Sequence, residues 1–221
     1  MKIAVNQKEY NCERVFCIGR NYVEHIEELG NDRPESPVIF SKPPTSLVKA
    51  GNTIRFPRCG ETPHFETELV VLIGKAGTPA SFDDAAEFVA ALAVGYDLTL
   101  RETQNKLLAK ALPWEICKGF DDSAPIGDFA PFSGTAEDLA KIEFSGSING
   151  KLRQSGNTEK MIFPIPELIL SIAKYWELRP GDLIYTGTPP GVGALSAGDV
   201  LSATDHTGKK FEWKLGLPQQ S

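Results

Sequence analysis

With 221 residues, 41% of them hydrophobic and 24% charged, the chain has the composition of one large globular domain that needs no disulfide or zinc staple. Its formal charge of -6 argues against nucleic acid and anionic membrane, which want a basic surface, but not against a small anionic substrate beside a local cation. Apolar runs far shorter than a membrane span, a start (Met1-Lys2-Ile3-Ala4-Val5-Asn6) too briefly apolar for a signal peptide, and cysteines at 12, 17, 59 and 117 without a Cys-x-x-Cys pair lead us to expect a cytoplasmic protein with reduced thiols.

In chain order, alternating or β-branched runs predict strands over 15–18, 38–41, 53–56, 66–73 and 89–98, then over 142–148, 182–186, 200–204 and 210–215. Asn21 with Glu24 three residues on has the pattern of a capping box, and Gly30 is placed to end the short helix it opens. Ser81 ahead of Asp83 and Asp84 starts a second helix, with acids at the positive end of its dipole. Residues 102–111 are expected to form a third, stopped by Pro113. A fourth spans 166–176, with Leu168, Ile169, Ile172 and Tyr175 on one face. Asn149-Gly150 marks a hairpin, because both central residues of that turn need positive φ, and Asp205-His206-Thr207-Gly208 reads as another. The fold class is α+β, mainly β; strict strand–helix alternation is missing, which excludes a doubly wound sheet. No repeat or linker divides the chain, so residues 1–221 are expected to form a single domain.

Chemistry concentrates in a few segments. Glu66 and Glu68 are two apart on a predicted strand and so share a face. Adjacent carboxylates repel and lose hydration unless something positive lies between them, which a divalent cation would supply; alone, the pair is also a solvated strand end. Asp97 interrupts the apolar run 91–100, where a buried acid needs a partner, although a satisfied turn residue fits as well. Three oxygen donors leave about half of an octahedral shell open, which suits Mg²⁺ or Mn²⁺ and a chelating substrate, while the lack of His and Cys disfavours zinc.

His25 and Glu28 share a helix face, the arrangement of a base oriented to activate water, though such pairs are common on surfaces. Arg101 and Gln104, one turn apart, with Lys118, could stabilise a developing oxyanion or belong to a solvated face. Cys117, beside Lys118, is a minor candidate nucleophile. The glycine-rich run 185–193 lacks the Gly-Lys-Ser/Thr ending of a phosphate loop; its amides and hydroxyls suit a carboxylate, or it is a plain turn.

In order, Ile18-Gly19-Arg20-Asn21-Tyr22 with His25, Phe40-Ser41-Lys42-Pro43, Glu66-Thr67-Glu68, Asp97-Leu98-Thr99 with Arg101, Leu112-Pro113-Trp114 with Lys118, Asn149-Gly150 and Thr186-Gly187-Thr188-Pro189-Pro190-Gly191-Val192-Gly193 resemble the fumarylacetoacetate hydrolase family, in its short acylpyruvate hydrolase branch. The resemblance implies a mixed β-sheet roll or partly closed barrel with peripheral helices, usually a homodimer. It implies Glu66, Glu68 and Asp97 as ligands of Mg²⁺ or Mn²⁺, and His25 with Glu28 as a water-activating pair on a helix that orders over bound substrate. It further implies Arg101, Gln104 and Lys118 as oxyanion or enolate stabilisers, with Arg20 and Thr188 as substrate contacts.

The implied reaction is hydrolysis of a carbon–carbon bond in a small anionic 2-oxo acid, an acylpyruvate such as fumarylpyruvate, releasing pyruvate. Decarboxylation or tautomerisation of oxaloacetate, or isomerisation or decarboxylation of an aromatic-degradation intermediate, at the same metal is the alternative. A non-catalytic β-rich module with a structural cation is the rival from another class. Pro190 departs from the lysine or polar residue that relatives often carry, which leaves the far end of the substrate unassigned.

Overall fold

The computed structural model describes residues 1–30 and 32–218. A hairpin, β1 (Lys2–Val5) and β2 (Lys8–Asn11), precedes β3 (Val15–Gly19), helix α1 (Val23–Leu29) and β4 (Val38–Lys42). Short strands β5 (Leu47–Lys49), β6 (Thr53–Ile54) and β7 (His64–Phe65) lead into β8 (Thr67–Ile73), α2 (Phe82–Glu87) and β9 (Val89–Tyr96). Then come α3 (Arg101–Leu108), α4 (Glu115–Lys118), β10 (Ala124–Ile126), β11 (Ala130–Pro131) and α5 (Ala136–Leu139). The chain closes with β12 (Glu143–Ile148), β13 (Lys151–Asn157), α6 (Ile165–Ala173), β14 (Leu183–Tyr185), β15 (Gly193–Ala194), β16 (Val200–Thr204) and β17 (Lys210–Leu215).

Two sheets carry the architecture. The larger is mixed and runs β4-β3-β14-β8-β9-β10-β5, with β11 also on β9; β14 is parallel to β3 and β10 parallel to β5. The smaller runs β13-β12-β16-β17-β6. The strands β8 and β9 are almost wholly apolar because both faces of the large sheet are covered. Leu69, Val71 and Ile73 join Leu92 and Val94 in a core shared with the second sheet and α6, while Val70, Leu72, Ala91 and Ala93 face Ile3, Val5 and Tyr10 of the first hairpin. Fully burying one such Leu or Val contributes roughly 1.5–3 kcal/mol. By the two-residue period, Glu66, Glu68 and Asp97 lie on the face of Val70 and Ala93, where an apolar core gives way to polar chemistry.

Both predicted hairpins form. Asn149 and Gly150 have φ of 51° and 75°, and Asp205 Oδ1 accepts from the amides of Thr207 and Lys209 at 2.9 Å each, closing the β16–β17 turn. Ser81 caps α2, its hydroxyl accepting from Asp84 N.

Three local expectations fail. The Asn21 capping box does not exist: Tyr22 is the N-cap of α1, with no side-chain bond. Asn21 instead donates from Nδ2 to Phe163 O at 3.1 Å and Thr186 O at 2.8 Å and accepts from Phe163 N at 2.8 Å, because buried main-chain groups far along the chain compete for its amide. The third helix runs Arg101–Leu108, and the chain turns at Ala111, φ 50°, before Pro113. The fourth ends at Ala173, so Tyr175 is 74% exposed rather than on its buried face. No helix among the described residues is long and apolar enough to cross a membrane.

Candidate active site

Antiparallel pairing of β8 with β9 sets Glu68 opposite Gly95, and just beyond the ladder Asp97 N donates to Glu66 O at 2.8 Å. This brings one carboxylate oxygen from each of Glu66, Glu68 and Asp97 within 4.8 Å of the others, and all three residues are buried. One ion with metal–oxygen contacts of about 2.0–2.1 Å spans at most about 4.2 Å between two ligand atoms, so the three side chains would draw inward to hold it.

Three cations surround the trio. Lys118, at the end of α4, donates from Nζ to Glu66 Oε2 at 2.8 Å, Asp97 Oδ2 at 2.6 Å and Thr99 Oγ1 at 2.6 Å. All three ammonium protons are thereby engaged. Arg101, the first residue of α3, pairs through Nη2 with Glu66 Oε1 and donates from Nη1 to Gln104 Oε1 at 2.6 Å. Lys42, fully buried at the end of β4, donates to Leu98 O at 3.1 Å and to Lys118 O, and its Nζ lies 2.8 Å from Asp97 Oδ1.

The charges are unevenly balanced. Burial would raise the pKa of Glu66, but Lys118 and Arg101 outweigh it and hold the carboxyl well below the usual range. Burial pushes Glu68 well above that range, and the charges of Asp97 and Glu66 add to the push; its Oε2 accepts from Gly187 N at 2.8 Å. Burial would lower Lys118, yet Asp97 and Glu66 keep it above the ordinary lysine value. Asp97 Oδ1 is buried with no hydrogen bond among the described residues and is balanced by the charge of Lys42 at 2.8 Å. A buried glutamate destabilised by two convergent carboxylates is what a hard divalent cation would satisfy, so the residues present fit Mg²⁺ or Mn²⁺.

His25 is buried on α1, with Nδ1 3.4 Å from Glu28 Oε2. Burial lowers its pKa; Glu66 and Glu28 oppose this only in part, so the imidazole is neutral near pH 7. Glu28 is anchored in turn, accepting from Gly191 N at 3.1 and 3.2 Å. The 186–193 loop thus touches both functional groups, Glu68 through Gly187 and Glu28 through Gly191.

The other predicted site residues are placed as follows. Thr188 lies in that loop, but its hydroxyl is already engaged, donating to Thr67 O at 2.9 Å and accepting from Gln154 Nε2 at 2.7 Å. Arg20, half-buried with φ 59°, follows β3 and is engaged within the structure. Burial raises Cys117 to about 11, so it is no ready nucleophile. Two contributors carried no assigned role in the sequence. Lys42 stands there within the Phe40-Ser41-Lys42-Pro43 stretch of the family resemblance but without a role, and Gln154 has no local signal.

The chain is similar to several known proteins. The chain is 40% identical over 196 residues to oxaloacetate tautomerase YcgM of Escherichia coli K12, covering 89% of this chain and 90% of that one. It is 39% identical over 189 residues to the mitochondrial oxaloacetate decarboxylase of Dictyostelium discoideum, covering 85% and 86%. The crystal structure of fumarylpyruvate hydrolase from Pseudomonas aeruginosa, in complex with Mn²⁺ and pyruvate, superposes with a TM-score of 0.89 at 33% identity, covering 98% of this chain and 96% of that one. Residues 14–209 match the family model described as fumarylacetoacetate (FAA) hydrolase C-terminal, and the chain belongs to that family.

Proposed function

We propose that the protein is a metal-dependent enzyme that moves a proton at the carbon beside the 2-oxo group of a small 2-oxo diacid, with keto–enol tautomerisation of oxaloacetate as its reaction. The observation that carries this reading is a set of three convergent carboxylates with a buried imidazole, held by Glu28, near enough to feel the charge of Glu66. The relatives from Escherichia coli and Dictyostelium discoideum, named for acting on oxaloacetate, support the choice of substrate.

Mg²⁺ or Mn²⁺ held by Glu66, Glu68 and Asp97 would supply Lewis acidity toward the 2-oxo and 1-carboxylate oxygens. With Nδ1 tied to Glu28, His25 Nε2 is the nitrogen for proton transfer: it takes the enol hydroxyl proton and returns it to C3, or the reverse. Arg101 Nε is buried with no acceptor among the described residues, and it is the donor for the oxygen that gains charge. Lys118, with its protons engaged, acts by balancing the ligand carboxylates.

A second reading is hydrolysis of an acylpyruvate, favoured by the likeness to fumarylpyruvate hydrolase. There the His25–Glu28 pair would deliver water to the distal carbonyl. The homodimer and cytoplasmic setting implied by the sequence belong to this proposal, and light scattering on purified protein checks the first.

The test follows loss of the oxaloacetate enol by ultraviolet absorbance, pyruvate release from oxaloacetate, and cleavage of fumarylpyruvate, each with Mn²⁺ and with EDTA. EDTA-sensitive acceleration of the enol–keto step above the other two is expected. Faster fumarylpyruvate cleavage would install the second reading, and no EDTA-sensitive turnover of any substrate would end both.

A further inference from the structure

We infer that Gln154 is a positioning residue of this site: its side chain locks the 186–193 loop to the metal-ligand strand, so that one loop serves both Glu68 and Glu28. The inference rests on reading the trio and the His25–Glu28 pair as one catalytic site. Gln154 belongs to the smaller sheet, on β13 opposite Gly146, and is 1% exposed. Its Oε1 accepts from Thr67 N at 2.8 Å and from Thr67 Oγ1 at 2.7 Å. Its Nε2 donates to Thr188 Oγ1 at 2.7 Å and to Pro189 O at 2.8 Å. An amide has two donors and two acceptor lone pairs, and here all four are used.

The partners give this bracket its meaning. Thr67 is the residue between Glu66 and Glu68, and Thr188 Oγ1 passes its own proton back to Thr67 O at 2.9 Å. Gln154, Thr67 and Thr188 therefore form a closed ring of bonds joining strand to loop. One residue before Thr188, the Gly187 amide reaches Glu68 Oε2 at 2.8 Å. Two residues after Pro189, Gly191 (φ +102°) lies flat on β13, where a Cβ would collide with Arg153 O and sit 3.3 Å from Gln154 Cγ. From there its amide holds Glu28, which orients His25. One side chain from the other sheet thus fixes the spacing between a ligand carboxylate and the carboxylate behind the base. Losing it would strand buried polar groups on both sides and free the loop to drift.

Two variants separate positioning from plain packing. Gln154→Glu keeps the size and the acceptor toward Thr67 but removes both donors to the loop; Gln154→Met keeps the shape and removes all four bonds. Hydrogen exchange on metal-free protein should show about tenfold or greater loss of protection at the Gly187 and Gly191 amides in both, with the β8 and β9 amides unchanged apart from Thr67 N, which itself donates to Gln154. Turnover of oxaloacetate per folded molecule should fall about tenfold or more in kcat, with a smaller change in KM. Wild-type protection at both glycines, or loss only together with the strands, would overturn the proposal. If Gln154→Met does not fold, Gln154→Glu carries the test. A wild-type protein that binds no Mn²⁺ and turns over no oxo acid would sink the functional reading, while the exchange result would still decide the role of Gln154.

Discussion

His25 sits where burial lowers its pKa and two carboxylates pull it only part of the way back, so it keeps a free nitrogen at neutral pH. The sign follows: the base is competent above its lowered value and is lost as pH falls through it. We predict an acid limb in kcat/KM with a midpoint below 6.5, the ordinary histidine value. Stability moves the same way, since the unfolded chain takes up this proton first and the folded state loses ground between 6.5 and the lowered value. An acid limb above 6.5 would contradict the assignment. His25→Ala should cost about 10²–10⁴ in kcat while Mn²⁺ affinity, read by calorimetry, stays within about twofold. Glu68→Ala should instead abolish measurable Mn²⁺ binding; retained affinity would remove Glu68 from the ligand set. The acids, His25 and Glu28 each had a bland reading in the sequence and stood out only through their order among the motifs that resemble the fumarylacetoacetate hydrolase family. Lys42 and Gln154 did not, since their importance lies in partners such as Leu98 and Thr67, 56 and 87 positions away.

At the scale of elements, α1 is the weakest member of the site. It has 7 residues, no side-chain N-cap and no basic residue in its last turn, well below the length at which an isolated helix persists in water. What holds it is tertiary: buried Tyr22, His25 and Ile26, the Glu28–Gly191 bonds, and a left-handed Gly30 that closes the end. We predict that α1 amides exchange orders of magnitude faster than those of β8 and β9, and that Glu28→Ala speeds them further. Oxalate with Mn²⁺, mimicking a bidentate oxo acid, should slow them; equal exchange with and without it would rule out a helix that orders over substrate. The sequence located α1 and its glycine stop but misread its start, because Asn21 answers to Phe163 and Thr186, which no local pattern reveals. Two-residue strands such as β7 and β15 escaped for a related reason: they exist only as the pairing of Phe65 with Gly193 and of His64 with Ala194.

For the whole molecule, the candidate site is backed by a close approach of the two sheets behind β8. Gly146, on β12, marks the tightest point: a Cβ there would meet Thr67 Oγ1 and lie 2.8 Å from Thr67 Cβ. Thr67 cannot swing away, because its hydroxyl and amide are both bound to Gln154 and its carbonyl to Thr188. The mainly β class was readable from strand periodicity, but this contact, which brings the smaller sheet against the site, was invisible in a sequence where Gly146 looks like an ordinary strand interruption. Gly146→Ala should therefore destabilise by about 1–3 kcal/mol, the range for overpacking a closed interior. In a chain of this size that lowers Tm by roughly 2–4 °C per kcal/mol, measurable by circular dichroism. Adding Thr67→Ala removes the obstructing hydroxyl, so the double variant should be more stable than the sum of the two single losses predicts. That non-additivity separates a steric collision from the entropic effect of replacing a glycine, which would be the same with either residue at 67. Additive losses would mean that the sheets part instead of clashing, and that the site tolerates a looser junction than its hydrogen bonds imply.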